Sequence, residues 1–267
     1  VTTELKVGKF LQHMDREDYT TRVSKIQDYI KAGDIYQVNL TQKFSTREFS
    51  GEMFDLYQTL RDSAPAPMAA YFSLGGREIL SSSPETFLSF QGDQVITRPI
   101  KGTRPRFENP IKDKKSAAEL KASIKENAEL VMITDLERND LGQVCEFGSV
   151  KVDEMLKLEK LEHVYHLVSI VSGKIRKELS HLDVLRACFP GGSITGAPKV
   201  RAMEIIDELE DEKRGLYTGC IGYVGIGGSS QFNIVIRTLV REGDTLHYHV
   251  GAGIVADSDP EAEYEET

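Results

Sequence analysis

The segment RPIKGTRPR, residues 98–106, sets Lys101 between Ile100 and Gly102, with Arg98, Arg104 and Arg106 close by in sequence. A lysine among other cations is biased toward its neutral amine, and a neutral amine is a nucleophile. A basic surface hairpin has the same composition, so the segment alone leaves both open. Glu85 follows a proline in SSSPE (81–85). A carboxyl there acts as general acid or base if partly buried, and is otherwise a turn carboxylate. Two acidic pairs, Glu126-x-x-Glu129 and Glu263-x-x-Glu266, each put both carboxylates on one helix face. If the faces converge, four carboxylates call for a hard cation such as Mg²⁺; if not, they are two solvated faces.

Other stretches carry weaker signals. FPGGSITGAPKVR (189–201) is glycine-rich and runs into a helix with Pro198 in its first turn. The phosphate-loop order G-x-x-x-x-G-K-[ST] is absent, but glycine-loop N–H groups at a helix start can bind a carboxylate. VGAGIVADS (250–258) offers a second backbone surface of this kind. His166, inside VYHLVSIV, reads first as a core histidine. Tyr223 and Arg237 fall on late strands, and Arg237, within FNIVIRTLV, needs a carboxylate from protein or ligand. DLERND (135–140) reads as helix capping and ion pairing.

The elements that must position these groups follow from periodicity. Tyr19, Val23, Ile26 and Ile30 recur at helical spacing, with Gly33 ending the helix. IYQVNLTQKF (35–44) is a strand with Tyr36, Val38, Leu40 and Phe44 on one face. Gly75-Gly76 and Gly92-Asp93 each join two strands as a hairpin. Residues 116–136 form one long helix that buries Leu120, Ile124, Ala128 and Val131. A short strand near 148–152, a strand at 164–172, and helices at 183–188 and 198–209 follow. Three β-rich stretches, GCIGYVGI, FNIVIRTLV and TLHYHVGAGIV, come last. Strands in hairpin runs without regular helix alternation indicate an α+β fold with large, mainly antiparallel sheets. No repeat or linker composition appears, so residues 1–267 count as a single domain.

The chain has 267 residues, 40% hydrophobic and 28% charged, enough for a sizeable core. Its net charge of −9 argues against a nucleic-acid footprint. Anionic ligands must then be met by local cations or a metal. Cys145, Cys188 and Cys220 are far apart and form no CxxC, which suits a reducing cytosol and a cytoplasmic protein. No apolar run is long enough to span a membrane. Val1 and the terminal EAEYEET read as the cut ends of a piece of a longer protein.

In this order, GDIYQVNLTQ, SSPE, RPIKGTRPR, ENAELVMITDLERNDLG, FPGGSITGAPK, CIGYVG, VGAGIVADS and EAEYEET resemble the chorismate-utilising enzymes. The resemblance runs from about residue 16 to the end. It implies two large sheets packed face to face, helices outside, and an active site between the sheets. It implies that an N-terminal region and the end of the last helix lie outside this sequence. Lysine at position 101, as PIKGT, resembles the aminodeoxychorismate synthase branch, which aminates chorismate on the route to p-aminobenzoate and folate. The anthranilate synthase branch usually has alanine there and is the alternative. Gln37 stands where isochorismate and salicylate synthases carry a lysine base.

By resemblance, Lys101 is the covalent nucleophile and Glu85 the general acid/base. Glu129 and Glu266 ligate Mg²⁺ directly, and Glu126 and Glu263 through water. Tyr223 and Arg237 take the enolpyruvyl carboxylate of chorismate. Gly251 and Gly253 offer N–H groups to the ring carboxylate, Thr195 a hydroxyl, and His166 a contact near the departing oxygen. Ammonia is implied to come from a glutamine amidotransferase subunit. No glutaminase signature occurs in this sequence.

Overall fold

A computed structural model describes residues 4–267. The chain divides into two compact units. One comprises the segments through Pro84, Ile194–Gly219 and Ile234–Thr267; the other comprises Glu85–Ser193 and Cys220–Asn233. Because the segments alternate, no single stretch of sequence could serve as a linker, and none is seen in the composition.

The first unit is built on a seven-stranded antiparallel sheet. Its path runs Gly196–Ala197, Gln37–Thr46, Thr245–Ile254, Thr238–Glu242, Arg77–Ser83, Met68–Leu74, and Leu11–Gln12 adds to Gln37–Thr46. The Arg16–Ala32 helix forms where the sequence places it. Asp15 caps its start by accepting the Asp18 N–H, and Gly33 closes it at φ 83°. Its Tyr19, Val23 and Ile26 pack with Val38, Leu40, Ala202, Ile205 and Ile254. The Gly75-Gly76 hairpin has both glycines at positive φ, with Leu74 opposite Arg77. The strand at 37–46 departs from simple alternation. Gln37, Asn39 and Thr41 are buried as well as Val38 and Leu40, whereas Tyr36 lies outside the strand and is exposed. Both faces of this strand are covered, so polar residues had to be accommodated inside.

The second unit carries its own seven-stranded antiparallel sheet. The path is Lys151–Lys160, Val164–Lys174, Gln94–Arg98, Thr86–Gln91, Ser229–Asn233, Gly222–Val224, and Ile100–Pro105 pairs with Val164–Lys174. The short strand expected near 148–152 is the start of the ten-residue strand Lys151–Lys160. The single long helix expected at 116–136 is two helices, Pro110–Ala122 and Ile124–Gly142. Ser123 breaks them with extended backbone, and its side chain caps the second by accepting the Glu126 N–H. The break changes the buried phase. Leu120 stays inside, but Ile124 and Val131 are exposed, and Leu130, Ile133, Thr134, Glu137 and Leu141 turn inward.

Arg237 is also displaced from its expected strand. The chain leaves one sheet at Asn233 and enters the other at Thr238. Arg237 sits in that crossing with φ 49°, a left-handed conformation unusual for a non-glycine residue.

Candidate active site

In the second unit, Lys101 and Glu85 come together. Glu85 lies between the strands Arg77–Ser83 and Thr86–Gln91, at the point where the chain passes into this unit. It is 6% exposed. Burial pushes its carboxyl up to about 7, against the opposing pull of the Lys101 charge and the Ile100 backbone N–H. A carboxyl poised near neutrality can give and take a proton at working pH.

Lys101 owes its placement to Gly102. Along the Ile100–Pro105 strand, Lys101 faces Leu167 and Thr103 faces His166, so Gly102 is the extra residue of a β-bulge. Gly102 has φ 76°. A Cβ there would lie 2.8 Å from Leu120 Cδ1 and 3.0 Å from the Glu126 carboxyl carbon. Glycine is needed on both counts. The cation crowding read from the sequence is corrected by the fold. Arg98 pairs with Glu159 at 2.6 Å, Arg104 with Glu126 at 2.8 Å, and Arg106 with Asp113 at 2.9 Å. Each arginine that flanks Lys101 in sequence is matched by a carboxylate, and the charge facing Lys101 from this site is Glu85.

His166 is 2% exposed on the neighbouring strand, its Nδ1 3.0 Å from the Thr103 hydroxyl. That contact ties the histidine to the same strand as Lys101. Tyr223, on the Gly222–Val224 edge strand, is half-exposed opposite Gln231.

In the first unit, the expected binding residues gather around Asn39. The Asn39 N–H donates to the Thr195 carbonyl at 2.8 Å, and Asn39 pairs with Gly253. A Cβ on neighbouring Gly251 would lie 3.1 Å from Asn39 Oδ1, 2.8 Å from Thr41 Cγ2 and 2.9 Å from the Tyr217 hydroxyl. The Thr238–Glu242 strand pairs with Thr245–Ile254 only as far as His247, so Gly251 and Gly253 have a strand partner on one edge alone. Their free edge is where backbone groups can meet a ligand. Gly251 and Arg237 line one cavity of about 590 Å³ with Ser82, Tyr217 and His249. Among the described residues, the Arg237 guanidinium has no carboxylate partner. A cation left over at a cavity wall suits an anionic ligand.

The acidic pairs stand one in each unit. Glu126 accepts from Arg104 with one oxygen, and its buried Oε2 has no hydrogen-bond partner among the described residues. Glu129, one turn on, is half-buried. In the Pro260–Glu266 helix, Glu263 is buried and Glu266 exposed, and both act on the buried Tyr19 hydroxyl. Each pair by itself offers the oxygen donor type that a hard divalent cation takes. Among the described residues, no three His, Cys, Asp or Glu side chains gather as a metal site.

A family model for chorismate-binding enzymes matches residues 2–267, spanning both units. The chain belongs to the chorismate-binding enzyme family. The aminodeoxychorismate synthase component 1 of Escherichia coli is 47% identical over 96% of the chain and 56% of its own length. The anthranilate synthase component 1 of Streptomyces coelicolor is 45% identical over 96% of the chain and 50% of its own length. The crystal structure of anthranilate synthase component I from Streptococcus pneumoniae matches at a TM-score of 0.90 and 37% identity, covering 99% of this chain and 59% of that one. The chain thus spans about half the length of the curated relatives it matches. For a chorismate-binding enzyme, the α+β fold with large antiparallel sheets is as the sequence implies.

Two residues outside the sequence-derived set stand out: Ser193, whose buried hydroxyl has no hydrogen-bond partner among the described residues, and Arg104, which holds Glu126. Ser193 sits directly after Gly191-Gly192 in a loop already noted for its glycines, and Arg104 two residues after the bulge. The pairing of Arg104 with Glu126, 22 residues on, has no local signature. Cys145 and Cys188 are buried and Cys220 partly so, all three as free thiols. No helix among the described residues is long and apolar enough to cross a membrane.

Proposed function

We propose that the protein is an aminodeoxychorismate synthase component I, converting chorismate and ammonia to 4-amino-4-deoxychorismate and water. The observation that carries this reading is the pairing of Lys101 with the buried Glu85, whose carboxyl is raised to about 7. The free amine of Lys101 attacks ring C2, both ring double bonds shift along the ring toward C4, and the C4–O bond breaks. Glu85 gives its proton to the departing hydroxyl, which leaves as water. Ammonia then attacks C4, both double bonds shift back, and the Lys101 nitrogen leaves C2 with the bonding pair. The proton shed by the new amine returns to Glu85. Two displacements preserve the configuration at C4.

Arg237 and Tyr223 would take the enolpyruvyl carboxylate, and the Gly251 and Gly253 N–H groups with the Thr195 hydroxyl the ring carboxylate. His166 would contact the departing oxygen. Mg²⁺ would be held by Glu129 and Glu266 directly and by Glu126 and Glu263 through water, supplying positive charge to the ring carboxylate. Ammonia would come from a glutamine amidotransferase component in the cytoplasm; both relatives above are named as component 1 of their enzymes.

The second reading is anthranilate synthase component I, favoured by a relative of similar identity, 45% against 47%. Product analysis separates the two. With chorismate, Mg²⁺ and ammonium, the complete protein should accumulate an amino product that yields p-aminobenzoate only after a lyase is added. Fluorescent anthranilate formed without a lyase would give the second reading. Lys101→Ala should abolish any enzyme-bound adduct on the peptide carrying residues 100–103 and shift the residual product toward anthranilate. An unchanged rate and product would remove Lys101 from the mechanism.

A further inference from the structure

We propose that the buried pair Glu210–Arg214 is a positioning device: it fastens the Ile194-Thr195 loop to the strand Gln37–Thr46, and so holds together Thr195, Gly251 and Gly253, the groups read as taking the ring carboxylate. The inference deepens that reading and rests on it for its effect on binding; the contacts do not depend on it. Glu210 and Arg214 are the ends of the charged run EDEKR (210–214). Asp211, Glu212 and Lys213 between them are exposed, whereas the Glu210 and Arg214 side chains are 6% and 13% exposed.

The need arises at one edge of the strand. Thr245–Ile254 covers the opposite edge from Val38 to Thr46. On the near edge, Gly196–Ala197 pairs at Gln37 and Val38, and Leu11–Gln12 pairs at Phe44 and Ser45. Between these two short strands that edge has no strand partner, and its buried backbone groups must be satisfied otherwise. The Asn39 N–H donates to the Thr195 carbonyl at 2.8 Å. Arg214 Nη2 donates to the Asn39 carbonyl at 2.7 Å, and Nη1 to the Ile194 carbonyl at 2.8 Å. Glu210 Oε1 accepts the Thr41 N–H at 3.0 Å. The pair itself is two-pronged, Nε to Oε2 at 2.8 Å and Nη2 to Oε1 at 2.6 Å. A planar guanidinium can serve a carboxylate and two carbonyls at once, which an ammonium cannot match.

Glycine at 196 lets the loop lie this close: a Cβ there would stand 2.2 Å from the Gln37 carbonyl oxygen. Asn39 and Thr41 are in turn the ladder partners of Gly253 and Gly251. One ion pair therefore sets the loop that carries Thr195 against the strand pair that carries both glycines. The ring carboxylate takes no part in bond making. Loosening its anchor weakens substrate and transition state alike, so KM rises while kcat holds.

The test uses the complete protein with Arg214→Ala, Thr195→Val and the double variant. One readout is amide hydrogen exchange without substrate, on peptides covering 37–43 and 191–198, with the Arg16–Ala32 helix as the control for global opening. The other is KM and kcat for chorismate with Mg²⁺ and ammonium. Arg214→Ala should speed exchange in both peptides by about tenfold and leave the helix unchanged. It should raise KM about tenfold at constant kcat, the scale of one hydrogen bond to a charged group. Thr195→Val should raise KM similarly without altering exchange, and the double variant should match Arg214→Ala. Unchanged exchange in both peptides overturns the proposal, as does a KM effect that multiplies with that of Thr195→Val. So does a KM that moves in Thr195→Val but not in Arg214→Ala. Faster exchange with KM unmoved in both single variants upholds the fastening role and refutes the ring-carboxylate reading of Thr195. Should Arg214→Ala fail to fold, Glu210→Met with Arg214→Met removes both buried charges and carries the same expectation.

Discussion

At the scale of single residues, the proposed chemistry rests on Glu85 and Lys101, and Glu85 makes its claim through burial. A carboxyl raised to about 7 is largely protonated below neutrality and charged above it. As proton donor in the first step it must be protonated in the free enzyme. The rate should therefore fall as pH rises through about 7, and kcat/KM measured from pH 5.5 to 9 should show that limb. Glu85→Gln should lower kcat by roughly two to four orders of magnitude, the usual worth of a positioned acid–base group, and erase the limb. A limb that persists in Glu85→Gln would assign it to another group. Lys101 shows what local reading gets wrong. The three nearby arginines were legible, but not their partners Glu159, Glu126 and Asp113, of which the first lies 61 residues from Arg98.

At the scale of elements, the bulged strand Ile100–Pro105 and the helix pair that follows it set the geometry. Gly102 takes the left-handed bulge position and lets Leu120 and Glu126 approach. Gly102→Ala combines a strained φ with an overpacked contact and should destabilise the protein by about 2–4 kcal/mol, read from urea midpoints. It should also depress kcat, because the bulge aims Lys101. Wild-type stability in that variant would mean that the strand tolerates a side chain there. Nothing in the local sequence marks the parting of the helices at Ser123. Residues 116–136 keep helical composition throughout, and a serine cap in mid-run resembles any exposed helical serine. Only the turn of Leu130, Ile133 and Leu141 toward the core, against the exposure of Ile124 and Val131, reveals the break.

At the scale of the whole molecule, opposed titrations shape stability. Unfolded Glu85 titrates near 4.5 and the folded group near 7. Between these values the folded state keeps a proton that the unfolded chain has released. Stability from this group falls as pH rises through that window, by up to about 3 kcal/mol. His249 is shifted the other way, down to about 4 from 6.5, by burial first and then by the His247 and Lys43 charges. Between those values the folded state has released a proton that the unfolded chain keeps, so stability rises with pH. The two trends overlap and partly cancel in the wild type. Paired variants separate them. Glu85→Gln should gain on the wild type as pH goes from about 5 to 8, and His249→Asn as pH goes from about 7 to 4, both followed by urea unfolding. Parallel curves for a variant and the wild type would show that its group does not titrate differently on folding.

The sequence by itself determined the kinds of elements, most of their ends, and the family. Those rest on local terms: helical spacing closed by Gly33, the Gly-Gly hairpin turn at 75–76, and the ordered motifs around Lys101 and Glu85. Tertiary structure decided which charges are matched, which helix face is buried, where Arg237 stands, and that Glu137 reaches Gly192 from 55 residues away. The physical reason is range. Backbone conformation is dominated by near neighbours in sequence, whereas desolvation and pairing depend on which distant groups share a low-dielectric interior.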